Sequence, residues 1–520
     1  MYQYTNPYKW PISVSGRHPT GTWRIPDSPF AYMAMAGTPD RSSKVDTAMA
    51  GIYLKLNDGK TNKWTNRFKT MKIVSAGYTS GHWNMNYGLF DIHRRQDWLL
   101  TVRGHNRYFI SNESYPGANM YGRYLAYGHL EVLFPETKTD NGSNFKDEGW
   151  DWNNIPGTTT LHQPLDKLRA SIINADDFSG IEEMLISDER FAGGTTLDKQ
   201  GMFAMKIHGH DKYDMGSFRA TKSWFMFDSL IVCLGSDINN TIKEYSTETT
   251  LFQNYLKASA DALNLNGQTI NQFPFIATGT AGKPITIIDN RNIGYYIPDG
   301  SKVSLTKSTQ TSRDQKDQKN TTGNFAKLIF QHGKAPVNQG YEYAMLINAD
   351  QKSMEHTAAV MKSKKPLYKV LEKDNIAHIL WYGADQITAM AVFGSHVRTV
   401  DSLLLDNNRP CLLMYKKEKQ MLKLSVTDPD LAFYEGPDDS PLTADGKRKE
   451  VSIYSRNWYR SPAKPSVVKL LIKGNWSVKI ENSNTQKNGV IAELQSDGNT
   501  LVSVPCADGL TSKVELVKEK

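Results

Sequence analysis

The sequence predicts a mainly β chain with a short helical start. Two segments rich in Ala, Met and Leu behind a Ser or Asp open the chain, the second ending at Leu56. From about Thr70 onward the apolar residues fall in short or alternating runs punctuated by Gly, Asn and Pro. No repeat recurs at a fixed period of about 20 to 50 residues, which removes the main support for solenoids and propellers.

Taken in order, Ser28 to Ala36 (SPFAYMAMA) and Val45 to Leu56 (VDTAMAGIYLKL) are expected to be two helices. Trp98 to Val102, Tyr108 to Ile110, Leu130 to Phe134, Met202 to Ile207 and Leu230 to Leu234 are expected strands. Thr306 to Asn324 (TKSTQTSRDQKDQKNTTGN) has almost no apolar residue, so it is expected to be a solvated excursion between strands. Ser353 to Lys362 reads as one helix, and Lys364 to Pro366 as a linker. Beyond it, Ala377 to Trp381, Ile387 to Phe393, Cys411 to Tyr415, Leu422 to Thr427 and Val467 to Ile472 read as strands again.

A chain of 520 residues is long enough for a sizeable core, and at roughly 150 residues per domain it holds more than one domain. It is 39% hydrophobic, with a mean hydropathy of -0.52. Apolar runs such as Leu230 to Leu234 fall far short of the roughly 20 residues a membrane-crossing helix needs. The 62 Lys and Arg against 54 Asp and Glu leave +8, with no basic tail. That balance is compatible with an acidic substrate and gives no support for nucleic acid or membrane partners. Cys233, Cys411 and Cys506 have no zinc-like spacing. Met1 to Pro29 holds five prolines and shows no apolar stretch of signal-peptide length.

Four segments concentrate Arg, Glu, Asn, Trp and Tyr: Gly16 to Pro19 (GRHP), Phe90 to Asp97 (FDIHRRQD), Asn112 to Tyr124 (NESYPGANMYGRY) and Gly149 to Thr160 (GWDWNNIPGTTT). Together with ETTLFQ from Glu248, YEY from Tyr341 and VTDPDL from Val426, they resemble polysaccharide lyase family 8, in particular the C-terminal half of its chondroitin sulfate ABC lyase branch. The resemblance covers nearly the whole chain. It implies the end of an incomplete α/α toroid at residues 1–66, a large antiparallel β-sandwich at 67–362 and a smaller C-terminal β-sandwich at 363–520.

The implied reaction is β-elimination at a uronic acid of chondroitin or dermatan sulfate, leaving a 4,5-unsaturated uronate. Such a site must neutralise the uronate carboxylate, remove the C5 proton and protonate the departing O4. The family's catalytic Arg and Glu map onto Arg17 and Glu113. Its His and Tyr lie on an R-H-x6-Y segment upstream of GRHP, for which this sequence has no match, so the sequence is read as beginning inside the toroid. His82 and Tyr87 are assigned structural roles.

His18, Asn119, Arg123, Trp150 and Trp152 are the candidate substrate-binding residues. For Arg123 and Asn119 the alternative is a structural role between strands, and for the two Trp a place in the core. The HGHDKYD run (His208, His210, Asp211, Asp214) has metal-ligand types but no standard spacing, and is expected to be a solvated loop. No cofactor or metal site is assigned, although a divalent cation such as calcium is compatible. By resemblance the protein is expected to be a secreted or periplasmic monomer acting on an acidic polysaccharide. The alternatives are a noncatalytic glycosaminoglycan-binding module, or a hydrolase using Glu113 and Asp151.

Overall fold

The computed structural model describes residues 11–14, 19, 26–135, 142–172, 182–397, 402–433, 440, 442–450, 456, 461–479 and 489–519. Arg17 and His18 lie outside the described residues.

Three helices open the described chain. Helix α1 is Ser28–Ala36 and helix α2 is Thr47–Leu56. Helix α2 begins at Thr47 because the Asp46 carboxylate caps it, accepting from the backbone N–H of Ala48 and Met49 at 2.9 and 3.1 Å. Helix α3, Lys63–Thr70, is additional to the sequence expectation. Its apolar content is slight, but Asn62 and Thr65 form a reciprocal capping box, the signal that marks its start. Phe30, Ala34, Tyr53, Leu54 and Phe68 close a small core between the three. The boundary placed at residue 66 falls inside α3, and the helical segment runs on to Thr70.

The rest is antiparallel sheet. A four-stranded sheet is built from Gly81–Met85, Phe90–Arg95, Trp98–Arg103 and His129–Leu133. A nine-stranded sheet includes the adjacent strands Gln200–His208, Arg219–Phe227, Leu230–Asn239 and Gln339–Ile347. Facing it is a five-stranded sheet that includes Thr159–His162, Ser246–Tyr255, Val303–Arg313 and Asn320–Lys334. Trp224, Met226, Ile231 and Cys233 meet Phe252, Leu328 and Phe330 in the core between these layers.

The opposite face of the nine-stranded sheet is also buried. Phe225, Phe227, Val232 and Leu234 pack against Leu380, Ala389 and Leu412 of a seven-stranded sheet. Successive strand residues point to opposite faces, so burial on both sides requires an unbroken apolar run. That is the physical content of WFMF at Trp224 and LIVCL at Leu230. The seven-stranded sheet in turn shares Met390, Leu413, Val468 and Val502 with a last four-stranded sheet. Helix α4 (Leu165–Leu168) is a single turn. Helix α5, Gln351–Met361, separates the strands of the central layers from Tyr368–Lys373, the first strand of the seven-stranded sheet. All three cysteines are buried and free.

Two expectations are corrected. Tyr108 to Ile110 is not a strand. The Asn106 side chain accepts from the backbone N–H of Tyr108 and Phe109 at 2.8 and 3.1 Å, turning the chain and seating Tyr108 against Phe433. Thr306 to Asn324 is not a solvated excursion but a β-hairpin, paired continuously from Val303↔Phe330 to Arg313↔Asn320. It orders without an apolar face because its tip satisfies polar groups elsewhere. Gln315 Oε1 accepts from Asn119 N at 2.8 Å, and Gln315 O accepts from Met120 N at 2.8 Å. Asp317 accepts from Tyr121 at 2.5 Å and from Arg169 at 2.5 Å.

Candidate active site

Glu113 opens the two-residue strand Glu113–Ser114, which pairs with Glu183–Met184 in the register Glu113↔Met184. The chain then reverses through Pro116 and Gly117, the latter at a φ of +75°, with Tyr115 and Ala118 exchanging backbone hydrogen bonds of 3.0 and 2.9 Å. A Pro–Gly pair suits this turn because Pro fixes the first corner and Gly accepts positive φ at the second. The reversal places the Tyr115 hydroxyl 3.1 Å from Glu113 Oε1 and also within reach of Glu182 Oε2, so that its single proton is shared between two carboxylates. Burial, then the two carboxylates, push the Tyr115 phenol well above its usual range, so it stays a donor.

Glu113 is half-buried, whereas Glu182 and Glu183 behind it are buried. Glu183 receives Lys212 at 2.7 Å and the Tyr213 hydroxyl. Sequence reasoning missed Tyr115 as Glu113's partner. The signal was the Pro–Gly turn two residues after the carboxylate.

Asn119 is buried and supports Glu113 from the backbone side, its Nδ2 donating to Glu113 O at 3.0 Å. Its φ of +52° is one that Asn tolerates better than most residues. Arg123 is 2% exposed and does not line an open groove. It donates to Gln163 Oε1 at 2.9 Å and to the carbonyls of Lys167 and Leu168 at 2.9 and 3.0 Å, with its guanidinium 3.2 Å from the Tyr213 ring centroid. With both terminal nitrogens hydrogen-bonded inside the protein and the whole side chain buried, Arg123 is an internal strut rather than a sulfate ligand.

Trp150 and Trp152 are fully buried. Trp150 packs against Phe145 and Phe325, and Trp152 Nε1 donates to Arg313 O at 3.1 Å. Neither ring offers a face to a sugar, so the core reading replaces the stacking one.

The polar residues around these tryptophans interlock two of the motifs. Lys327 Nζ lies 2.8 Å from Asp151 Oδ2 and 2.7 Å from Asn154 Oδ1. Asn154 donates to Glu248 Oε2 at 2.9 Å, and His162 Nδ1 meets the same oxygen at 2.9 Å. Gln253 closes the circuit on Asp151 N at 2.9 Å. WDWNN and ETTLFQ are therefore two halves of one network, which explains their dense polar spelling. Asp151 is committed to Lys327, while Glu113 belongs to the Tyr115 and Glu182 group, an arrangement that gives a two-carboxylate hydrolase no support.

His82 and Tyr87 take structural roles. His82 Nε2 sits 3.2 Å from Asp91 in a buried site, and the Tyr87 hydroxyl donates to Asp508 at 2.5 Å. The HGHDKYD run is not a solvated loop. His208 is buried 2.6 Å from Asp188, and Arg448 bridges Asp188 and Asp211 at 3.2 and 2.8 Å. Among the described residues no group of three or more His, Cys, Asp or Glu is arranged to hold a metal ion.

A layered antiparallel sandwich with a half-buried Glu at its surface, preceded by helices, is the architecture expected of a polysaccharide lyase. The super-sandwich domain model of polysaccharide lyase family 8 matches residues 78–358, and the catalytic lyase model matches residues 1–63. The chain belongs to polysaccharide lyase family 8. It is 39% identical over its full length to a chondroitin sulfate ABC exolyase of Bacteroides thetaiotaomicron, covering 51% of that protein. It is 38% identical over 94% of its length to the chondroitin sulfate ABC exolyase of Proteus vulgaris, covering 47%. The chain thus spans about half the length of the curated relatives it matches. A Paenibacillus xanthan lyase shares the fold, with a TM-score of 0.72 at 20% identity over 95% of this chain and 44% of that one.

Proposed function

We propose that this chain is the Arg- and Glu-bearing portion of a glycosaminoglycan lyase acting on chondroitin or dermatan sulfate. The observation that carries the reading is the position of Glu113, half-buried and held by Tyr115, in a chain that aligns throughout with relatives named chondroitin sulfate ABC exolyases. In the proposed reaction a base removes the C5 proton of the uronate, the C4–O4 bond breaks, the departing O4 takes a proton and a C4–C5 double bond forms. Glu113 serves this by orienting a cation at the substrate, a role given to Arg17, whose guanidinium would stabilise the negative charge that develops. The proton-moving His and Tyr of the family have no match in these 520 residues. We further propose that the protein works outside the cytoplasm as a monomer, and that a divalent cation such as calcium is compatible with its activity.

The test is product chemistry. Joined to a helical segment carrying R-H-x6-Y, the protein should release chondroitin fragments with the far-ultraviolet absorbance of a conjugated uronate. Products without that absorbance would overturn elimination. The 520 residues alone should turn over near background, because acid–base help worth about 10² to 10⁴ in rate is missing. Binding of chondroitin sulfate by the joined protein without any turnover would favour the noncatalytic module instead.

A further inference from the structure

Between strands Met421–Thr427 and Ser466–Ile472 the C-terminal sandwich sends out a long excursion, and residues 442–450 of it reach the central layers. A turn closes the first part, with Thr443 N donating to Lys447 O at 2.7 Å and Gly446 N to Thr443 O at 3.0 Å. The three residues that follow each meet the HGHDKYD loop. The backbone N–H of Arg448 donates to Asp211 Oδ2 at 2.7 Å, while its buried guanidinium bridges Asp188 and Asp211 at 3.2 and 2.8 Å. His210 Nε2 lies 3.3 Å from Lys449 O, and Lys212 Nζ lies 2.5 Å from Glu450 Oε2.

Lys212 joins these residues to the layer behind Glu113. Its ammonium also lies 2.7 Å from Oε2 of the buried Glu183. Glu183–Met184 is the partner of Glu113–Ser114 in a sheet of those two strands alone, and Glu182 beside it shares the proton of Tyr115 with Glu113. A pairing two residues long holds little by itself, so the strand that carries Glu113 depends on what fixes Glu183. Lys212, the Tyr213 hydroxyl and Asn112 Nδ2, the last at 3.5 Å, do so.

Glu450 competes for the same ammonium. The groups around it are Glu182 and Glu183 on the short strand, His210, Asp211, Lys212 and Tyr213 on the loop, and Arg448 and Lys449 on its own segment. While Glu450 is neutral, only Glu183 draws on Lys212. Once it is ionised, two carboxylates shielded from water divide one ammonium, a less favourable arrangement. Burial pushes the Glu450 carboxyl up to about 7; Lys212 offsets only part of this, and the charge of Glu183 adds to it. We propose that residues 442–450 are a pH-sensitive positioning strap, which holds the layer behind Glu113 while Glu450 keeps its proton and slackens when Glu450 loses it. Glu450 is a positioning residue that acts through Lys212 and Glu183, and its bearing on catalysis rests on the lyase reading.

A raised carboxyl contributes fully below its ordinary 4.5 and loses the contribution as pH rises to its folded value of about 7, with no further loss above. His210 runs the other way. Burial, then the charge of Arg448, lower it to about 4, so its contribution fades as pH falls below its ordinary 6.5. Comparison with Glu450→Gln, in which His210 is unchanged, isolates Glu450. The test is hydrogen exchange read by mass spectrometry on the 520-residue protein, each rate divided by that of the unfolded peptide at the same pH. Relative to Glu450→Gln, protection of the unaltered protein should fall at least about tenfold from about pH 5 to about pH 7.5 and stay level from there to about pH 9. The fall should appear in residues 442–450 and also in residues 111–115, but not in strand Cys411–Glu418 of the seven-stranded sheet. If Glu450→Gln does not fold, Glu450→Ala takes its place. A ratio that stays constant with pH in residues 442–450 would overturn the pH sensitivity, and one that moves there but not in residues 111–115 would overturn the positioning; the proposal fails in either case. The lyase reading stands or falls separately, on the absorbance of the product.

Discussion

The contact between Tyr115 and Glu113 decides how sharply the carboxylate can be aimed. In the protein joined to the upstream helical segment, Glu113→Gln keeps the side chain's shape but removes its charge. It should lower kcat strongly while moving KM and the melting temperature little, the pattern of an interaction made mainly in the transition state. Tyr115→Phe removes only the hydroxyl, and should lower kcat less than Glu113→Gln, by about tenfold, the cost of one hydrogen bond to a charged group. Near-normal kcat together with several degrees of lost thermal stability in both would make the pair structural, and Glu113 would be withdrawn from catalysis.

The pair of His162 and Glu248 makes a prediction about pH. Burial by itself lowers the His162 pKa, but the hydrogen bond to Glu248 and the charges of Asp151 and Glu248 outweigh it, so the net shift is upward. Burial raises Glu248, and the bond and charge of His162 outweigh it, so the net shift is downward. A raised His stabilises fully below its ordinary 6.5 and loses the contribution as pH rises through its folded value. A lowered Glu stabilises fully above its ordinary 4.5 and loses the contribution as pH falls through its folded value. The pair therefore contributes in full between about pH 4.5 and 6.5. His162→Gln should lower the melting temperature most in that window and progressively less toward pH 9. A difference that does not vary with pH would show that the ring matters only for packing.

At the scale of the element, the hairpin of Val303–Arg313 and Asn320–Lys334 shows how a polar sequence becomes ordered. Its ladder uses Thr306, Thr309 and Thr311, β-branched residues that suit an extended chain, and its tip is tied down by carboxylates. Asp314 Oδ1 accepts from the N–H of Gln318 and Lys319 at 2.7 and 2.9 Å, and Asp317 gathers Tyr121, Arg169 and Arg313. Burial raises the Asp317 pKa, but the bonds from Tyr121, Arg169 and Arg313 outweigh it and hold the carboxyl below its usual value. Asp317→Ala should destabilise the protein by about 2 kcal/mol and open residues 314–319 to proteolysis. Protection equal to the unaltered protein would show that backbone pairing alone holds the tip.

For the whole molecule, the nine-stranded sheet is the shared wall of two cores. Arg448 adds a clasp, buried between Asp188, His208 and Asp211 of the central layers. Removing one partner of such a buried ion network leaves charge uncompensated and costs about 3 kcal/mol or more. Arg448→Ala should therefore lower the melting temperature by several degrees. Because the wall is common, calorimetry should show the central and C-terminal sandwiches unfolding in one transition. Two well-separated transitions would mean that the packing of Phe225 and Phe227 on Leu380 and Leu412 adds little.

The sequence by itself determined what depends on neighbouring residues. The Asp46 and Asn62 caps, the Pro–Gly turn after Glu113 and the alternation of the strands can be read from short windows, as can the apolar runs of a sheet covered on both faces. The motif spellings were enough to point to the family, and with it to Arg17 and Glu113. Only the tertiary structure decided which side chains face inward. Trp152 and Arg123 look like sugar ligands in sequence, yet their partners lie far along the chain, Trp152 reaching Arg313 across 161 positions and Arg123 reaching Gln163 across 40. The same distance concealed the polar hairpin, whose order comes from groups it satisfies on other segments. A local pattern encodes periodicity and turns. Burial of a polar or aromatic side chain depends on what the fold brings against it, and no window of sequence contains both partners.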